Sequence, residues 1–217
     1  MKPGQRRSKL TFHPMRNRIP LQLLGHDKYL EMRAGARVVE QDEHGEKVLL
    51  LPDGTYFKLF RRKRVLTSAA WKPYAQRFVE NAAALHRLGI PCPQVLQHYR
   101  IPAISRDAVH YLPLEGETIR QVIAGGLGEA RADALRHQLL EFIHHIHSLG
   151  IFFRSAHLGN IVLTPENTLG LIDISDLKIS WFALGPFRRR RNLRHVLRCR
   201  EDREWLRKST DWAELDK

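Results

Sequence analysis

Cysteine is almost missing from this chain: of 217 residues only Cys92 and Cys199 carry a thiol, far apart and in no metal-binding spacing. That excludes a disulfide scaffold and a zinc knuckle, and it suits a reducing cytoplasm. Long apolar runs are missing as well. No stretch of about 18 apolar residues exists, so no membrane-spanning helix is expected. The basic N-terminus is broken by Arg16, Arg18, Pro20 and Gln22 before the apolar core of a signal peptide develops. Acidic residues are the third shortage. Asp and Glu number 23 against 36 Lys and Arg, leaving a net charge of +13. A field of that size attracts polyanions, so nucleic acid, an anionic membrane surface and a phosphorylated substrate all qualify as partners. No zinc-finger spacing or RNA-recognition aromatic signature accompanies the charge, which places nucleic acid behind the other two.

What is present is enough apolar material for a core: 43% of residues are hydrophobic, which fits one compact domain or two small lobes sharing a cleft. Residues 1–34 carry Arg6, Arg7, Lys9, Arg16 and Arg18 among prolines and read as an extended basic arm. Strand patterns follow at Arg37 to Glu40, Lys47 to Leu51 and Tyr56 to Phe60, with a hairpin loop over Gln41 to Glu46. Lys58 alternates with Phe57, so the two side chains point to opposite faces of the third strand. The run Arg61 to Arg64 reads as a solvated basic edge.

Helical spacing of Tyr74, Phe78, Leu85 and Leu88 predicts a helix over Pro73 to Leu88, ended by Gly89-Ile90-Pro91 and carrying Glu80. Two more strands are expected at Gln94 to Tyr99 and Ala108 to Leu112. Thr118 reads as the N-cap of a short helix to Ala124. Leu135, Leu139, Phe142, Ile143, Ile146 and Leu149 trace one face of a long helix over Ala130 to Ser148. His144, His145 and His147 on that helix read as a solvated face rather than a ligand set. The C-terminal run Arg188 to Arg191 leads into Leu193, Val196, Leu197, Trp205 and Leu206, a basic amphipathic segment of one or two helices. It could lie on an anionic bilayer, or pack its apolar stripe on the long helix and leave the arginines in water.

The stretch Arg154 to Asp173 carries the chemistry. Ile161 to Leu163 and Leu169 to Ile172 flank a polar connection containing Pro165 and Asn167, the pattern of a β-hairpin. Asn160 precedes the first strand and Asp173 follows the second, so pairing brings an amide oxygen and a carboxylate to one end. Hard cations such as Mg²⁺ choose such ligands and leave other positions to water and phosphate. A capping Asn with a surface Asp accounts for the spacing equally well.

The order of elements resembles the protein-kinase-like superfamily over residues 35–180, in particular the Kdo and heptose kinases of lipopolysaccharide core biosynthesis and the toluene-tolerance-type proteins. The motifs that carry the resemblance are His157-Leu158-Gly159-Asn160-Ile161, Leu171-Ile172-Asp173 and Leu88-Gly89-Ile90-Pro91. It implies an α+β, two-lobe fold: a small antiparallel-sheet N-lobe over 35–113 and a short, mostly helical C-lobe over 114–217. It also implies ATP and Mg²⁺ as ligands and a sugar or glycolipid acceptor. Lys58 would contact the phosphates, oriented by an ion pair with Glu80, and Asn160 and Asp173 would hold Mg²⁺. Tyr111, Leu112 and Leu114 would belong to the hinge that meets adenine.

The chain departs from the family at two places. Ser155 stands where the catalytic Asp is expected, and a hydroxyl is a poor proton acceptor near neutral pH; Asp176 or His157 could take over. No glycine-rich loop joins the first two strands, where Gly45 sits among Asp42, Glu43 and Glu46. Three readings follow: an ATP-dependent sugar or lipopolysaccharide kinase with an atypical catalytic loop, a pseudokinase binding module of envelope biosynthesis, and a nucleic-acid-binding protein. The expected location is the cytoplasm, free or peripheral at the inner membrane.

Overall fold

The computed structural model describes residues 19–62 and 72–215. The first part of the expected arm, residues 1–18, and Lys63 and Arg64 of the basic run lie outside them. The fold is α+β. Its first half is a six-stranded mixed sheet. Strand β1 (Leu21–Leu23) is followed by helix α1 (His26–Arg33), β2 (Arg37–Asp42), β3 (Gly45–Leu50) and β4 (Tyr56–Arg61). Helix α2 (Tyr74–Arg87), β5 (Gln94–Ile101) and β6 (Arg106–Leu112) complete this part. The strand order is β1-β5-β6-β4-β3-β2, with β1 parallel to β5 and the other pairs antiparallel.

Residues 21–33 correct the reading of an extended arm: they form a strand and a helix. The reason is apolar. Leu24 and Tyr29 are buried with Leu49, Phe57, Leu59 and Ile101 in a core on one face of the sheet. The other face meets α2. Phe60 and Tyr111 both approach Phe78 of that helix, at ring-centroid distances of 6.3 and 5.3 Å. Phe57 therefore enters one core while Lys58, its neighbour in the pleat, faces the α2 side, where its Nζ lies 5.8 Å from the Phe60 ring.

The β2–β3 connection is tighter than expected, because pairing runs to Asp42 opposite Gly45 and leaves only Glu43 and His44 at the tip. Gly45 takes φ +103°, a conformation that a side chain would disfavour. At the tip Asp42 accepts from the His44 N–H at 2.9 Å, and Glu46 pairs with Arg33 of α1 at 2.5 Å. Glu43 lies 3.2 Å from His44 Nε2, so each of the three carboxylates in this loop has a partner.

The second half begins with β7 (Glu117–Thr118) and α3 (Ile119–Ala124), started by a capping box between Thr118 and Gln121. The long helix α4 (Glu129–Ser148) leads to β8 (Ile151–Phe152), and a loop leads on to the hairpin β9 (Ile161–Leu163) and β10 (Leu169–Leu171). Strand β11 (Lys178–Ile179) pairs back on β8. The basic segment forms two helices, α5 (Pro186–Val196) and α6 (Arg200–Leu206), and α7 (Thr210–Leu215) follows it. Their apolar stripe belongs to the interior. Leu193, Val196, Leu197 and Leu206 are buried in the main core, and Trp205 packs against it. Trp212 is fully buried and donates its indole N–H to the Arg136 carbonyl at 2.9 Å.

The main core continues across the 113/114 boundary, joining α2 and Tyr111 to α4, the hairpin and α5. Gly170 shows how close the two halves come. A Cβ there would lie 2.6 Å from the Pro91 carbonyl and 2.5 Å from Leu114. Its neighbour Leu171 donates its N–H to that same carbonyl at 2.9 Å.

Candidate functional site

The site forms where α2, the 153–160 loop and the hairpin meet. The hairpin brings its two ends together through Ile172, whose N–H donates to the Asn160 carbonyl at 3.0 Å. Asn160 is buried, and its Nδ2 donates to the Ser155 carbonyl at 3.0 Å, leaving Oδ1 as the acceptor available to a cation. Asp173 follows with φ +51°, a left-handed turn that Asp tolerates better than most residues. Lys58 Nζ meets Asp173 Oδ1 at 2.5 Å, an ion pair between residues 115 positions apart. The lysine side chain is 13% exposed and the aspartate side chain 48% exposed, so solvent reaches the pair from the aspartate side.

Glu80 has other partners. Among the described residues it accepts from Lys72 Nζ at 2.8 Å and from Gln76 Nε2 at 3.0 Å, while the ion pair of Lys58 runs to Asp173. The expected Lys58–Glu80 pair is replaced because the lysine sits on the carboxylate at the end of the hairpin. Next to Glu80, Asn81 donates to the carbonyls of Ile174 at 2.6 Å and Leu177 at 3.0 Å, tying α2 to the turn after Asp173.

Ser155 and Asp176 come together: Ser155 Oγ donates to Asp176 Oδ2 at 2.7 Å. Asp176 Oδ1 is buried and has no partner among the described residues. A buried carboxylate oxygen without a donor is costly. His157 plays a different part. Its N–H donates to the Ser155 carbonyl at 2.8 Å, and burial, aided by the charge of Arg120, lowers its pKa below the usual imidazole value. Its side chain forms no hydrogen bond with Ser155 or Asp176 among the described residues.

At the expected hinge, Tyr111 is buried and stacks on Tyr56 with centroids 5.7 Å apart, and burial raises its phenol pKa. Leu112, the last residue of β6, is 40% exposed, and Leu114 lies against the Gly170 backbone.

Several residues that hold the loop carry no local motif. Asp202 of α6, 3% exposed, takes a two-point ion pair from Arg120 at 2.8 and 3.0 Å and accepts from the Leu158 N–H at 3.0 Å. Asn192 of α5 accepts from His147 Nε2 at 2.9 Å and donates to the Phe153 carbonyl at 2.5 Å. Both sit four residues before a buried aliphatic, Leu206 and Val196 respectively. A polar residue in an apolar stripe was the available signal.

The donor types at the hairpin end, one amide oxygen and one carboxylate, fit a hard cation. Among the described residues no group of three His, Cys, Asp or Glu side chains could hold a metal by itself. Among the described residues, no helix is long and apolar enough to cross a membrane.

Comparison of the sequence with protein-family models and with curated proteins gives no match. Among solved structures the chain is similar to the bifunctional kinase-methyltransferase WbdD, with a TM-score of 0.40 and 16% identity over 63% of this chain. It spans 29% of that protein's length.

Proposed function

We propose that this protein is a kinase-like phosphotransferase that moves phosphate from ATP to a hydroxyl of a sugar, in lipopolysaccharide core or a similar acceptor. The observation that carries the reading is the Lys58–Asp173 ion pair at 2.5 Å, beside Asn160, at the meeting of sheet and hairpin. Phosphoryl transfer depends mainly on positioning and charge neutralisation, and this cluster supplies a cation for phosphate and two oxygens for a metal.

In this mechanism Lys58 exchanges its Asp173 partner for the phosphates when nucleotide enters. Asn160 Oδ1 and Asp173 would hold Mg²⁺, which would supply charge to offset that of the phosphates. The segment 111–114 offers its backbone to adenine. Asp176 takes the proton of the acceptor hydroxyl, directly or through Ser155 Oγ, which already donates to it. His157 shapes the loop through its backbone, so the proton passes to the carboxylate instead. The short Glu43-His44 tip cannot fold over a triphosphate as a glycine-rich loop does. That observation favours the second reading, a binding module without phosphotransfer. Both readings place the protein in the cytoplasm, peripheral to the inner membrane where a glycolipid acceptor is exposed.

Thermal unfolding with and without Mg²⁺-ATP tests nucleotide binding. At a hundred times its Kd a ligand stabilises the folded state by about 2.7 kcal/mol, which raises Tm by roughly 5–10 °C for a chain of this size. Lys58→Ala and Asp173→Ala remove the shift. Absence of any shift in the wild type at millimolar ATP would sink the kinase and nucleotide-binding readings together. Transfer of labelled phosphate to core oligosaccharide then separates enzyme from binding module.

A further inference from the structure

The apolar stripe of α5 is spent on the core, yet three aromatic side chains beside it are displayed to solvent: Trp181 at 91%, Phe182 at 82% and Phe187 at 79% exposure. Exposure of this kind forgoes roughly 1.5–3 kcal/mol for each large apolar side chain relative to burial. The same region buries Phe152, Phe153 and Trp212, so the fold has room for aromatics. Nor is the display a result of a loose segment. Ser180 donates its N–H to the Gly150 carbonyl and Leu184 to the His147 carbonyl, both at 2.9 Å, and Leu184 itself is buried. Arg189 Nε closes the loop onto the Leu184 carbonyl at 2.7 Å. Gly150 admits the crossing, since a Cβ there would lie 2.5 Å from the Ser180 and Phe182 carbonyls.

Charge follows the same surface. Between Asp176 and Glu201 there is no acidic residue, while Lys178, Arg188, Arg189, Arg190, Arg191, Arg194, Arg198 and Arg200 are all cationic. Phe187, Arg190, Arg191 and Arg194 recur at helical spacing and line one shallow depression. Arg188, Arg190, Arg191 and Arg194 are exposed and form no ion pair among the described residues. Aromatic side chains beside unpaired arginines match the interfacial zone of an anionic bilayer, where rings enter the headgroup layer and cations meet lipid phosphate. A nucleic-acid ligand shares the charge preference, but no motif of a nucleic-acid fold accompanies these residues.

We propose that Trp181, Phe182 and Phe187, with the arginine face of α5, form a docking surface for an anionic membrane. The surface deepens the reading above and rests on it only for the nature of the acceptor: a lipid-linked sugar would be met where the protein docks. The loop that displays the rings starts at β11, which pairs with β8 just before Ser155, so docking and catalytic loop share one small sheet.

Vesicle flotation of the full chain, without nucleotide, tests the surface independently of kinase activity. The protein floats with phosphatidylcholine vesicles containing about 30% phosphatidylglycerol, stays behind with neutral vesicles, and is released at about 0.5 M salt, where exposed charges are screened. Changing all three aromatics to Ser lowers the partition constant at least tenfold, on the order expected from the lost apolar area. Changing Arg190 and Arg194 to Gln lowers it roughly 25-fold, about fivefold for each charge. Because these side chains are exposed, both variants keep the wild-type Tm. Failure of the wild type to float with anionic vesicles at low salt overturns the proposal, as does wild-type flotation by the aromatic variant. If single-stranded DNA displaces the vesicles and needs the same three rings, the surface belongs to nucleic acid instead.

Discussion

The two ends of the 155–176 segment solve different problems. At the Asp173 end, the contact with Lys58 is half open to water and joins residues 115 positions apart. At the Ser155 end, the contact with Asp176 spans 21 residues and leaves one buried carboxylate oxygen unpartnered. The lysine of this pair is mostly buried and the aspartate half-exposed, so a ligand reaches the pair from the Asp173 side and must replace the charge that Lys58 loses. The Asp176 carboxylate keeps one donor, Ser155, and leaves its buried Oδ1 unmet, a polar atom that is costly to hold without a partner. The difference teaches that one contact joins distant elements and is open on its carboxylate side, while the other is local and leaves a buried acceptor unmet.

The largest effect that would break this comparison is on rate. Asp176→Asn keeps the shape and removes the base, and it should lower kcat by about 10²–10⁴-fold while leaving the Mg²⁺-ATP-dependent Tm shift intact. Ser155→Ala should cost less than about tenfold, as removal of one hydroxyl that only hands a proton on. Equal losses in the two variants, measured by labelled phosphate transfer, would show that serine and not aspartate is the acceptor.

A smaller effect concerns the support of the loop. Asp202→Ala leaves the Leu158 N–H without its buried acceptor and Arg120 without its partner, which should destabilise the protein by about 2–3 kcal/mol in urea unfolding. The loss should fall on the Ser155 end, so activity per folded molecule drops while nucleotide still stabilises. Preserved stability would mean that α6 does not hold this loop.

The smallest effect is on pH dependence. His98, His110, His147, His157 and His195 all have pKa values lowered, first of all by burial. The native state therefore binds fewer protons than the unfolded chain below about pH 6.5, so their contribution to stability is complete above that pH and is lost as pH falls through it. Tm should be flat above pH 7 and decline toward pH 5. His147→Gln should flatten the decline, because His147 is fully buried and removing it removes one differential proton. A decline of unchanged steepness would locate the coupling elsewhere.

Much of the architecture was legible from local pattern. The α2 and α4 helices showed their 3.6-residue periodicity, the 161–171 hairpin its polar turn, and Thr118 its place as an N-cap, because each is written in neighbouring residues. The strand and helix over residues 21–33 were not legible: their two anchors, Leu24 and Tyr29, are sparse among charges and gain meaning only against Phe57 and Ile101. The role of Leu193, Val196 and Leu197 was equally hidden, since an amphipathic stripe reads the same whether it meets lipid or a core.

The sequence by itself determined the chemistry available at the site: Lys58, Asn160, Asp173 and Asp176, the serine between them, and the excess of positive charge. Side-chain type fixes which protons and cations a residue can hold, and no fold changes that. Only the tertiary structure decided the partners. Lys58 met Asp173 rather than Glu80, Ser155 met Asp176, and Asp202 reached back 44 residues to Leu158. Those pairings depend on how the hairpin, α2 and α6 pack, and packing is set by burial of apolar surface that residues distant in sequence share.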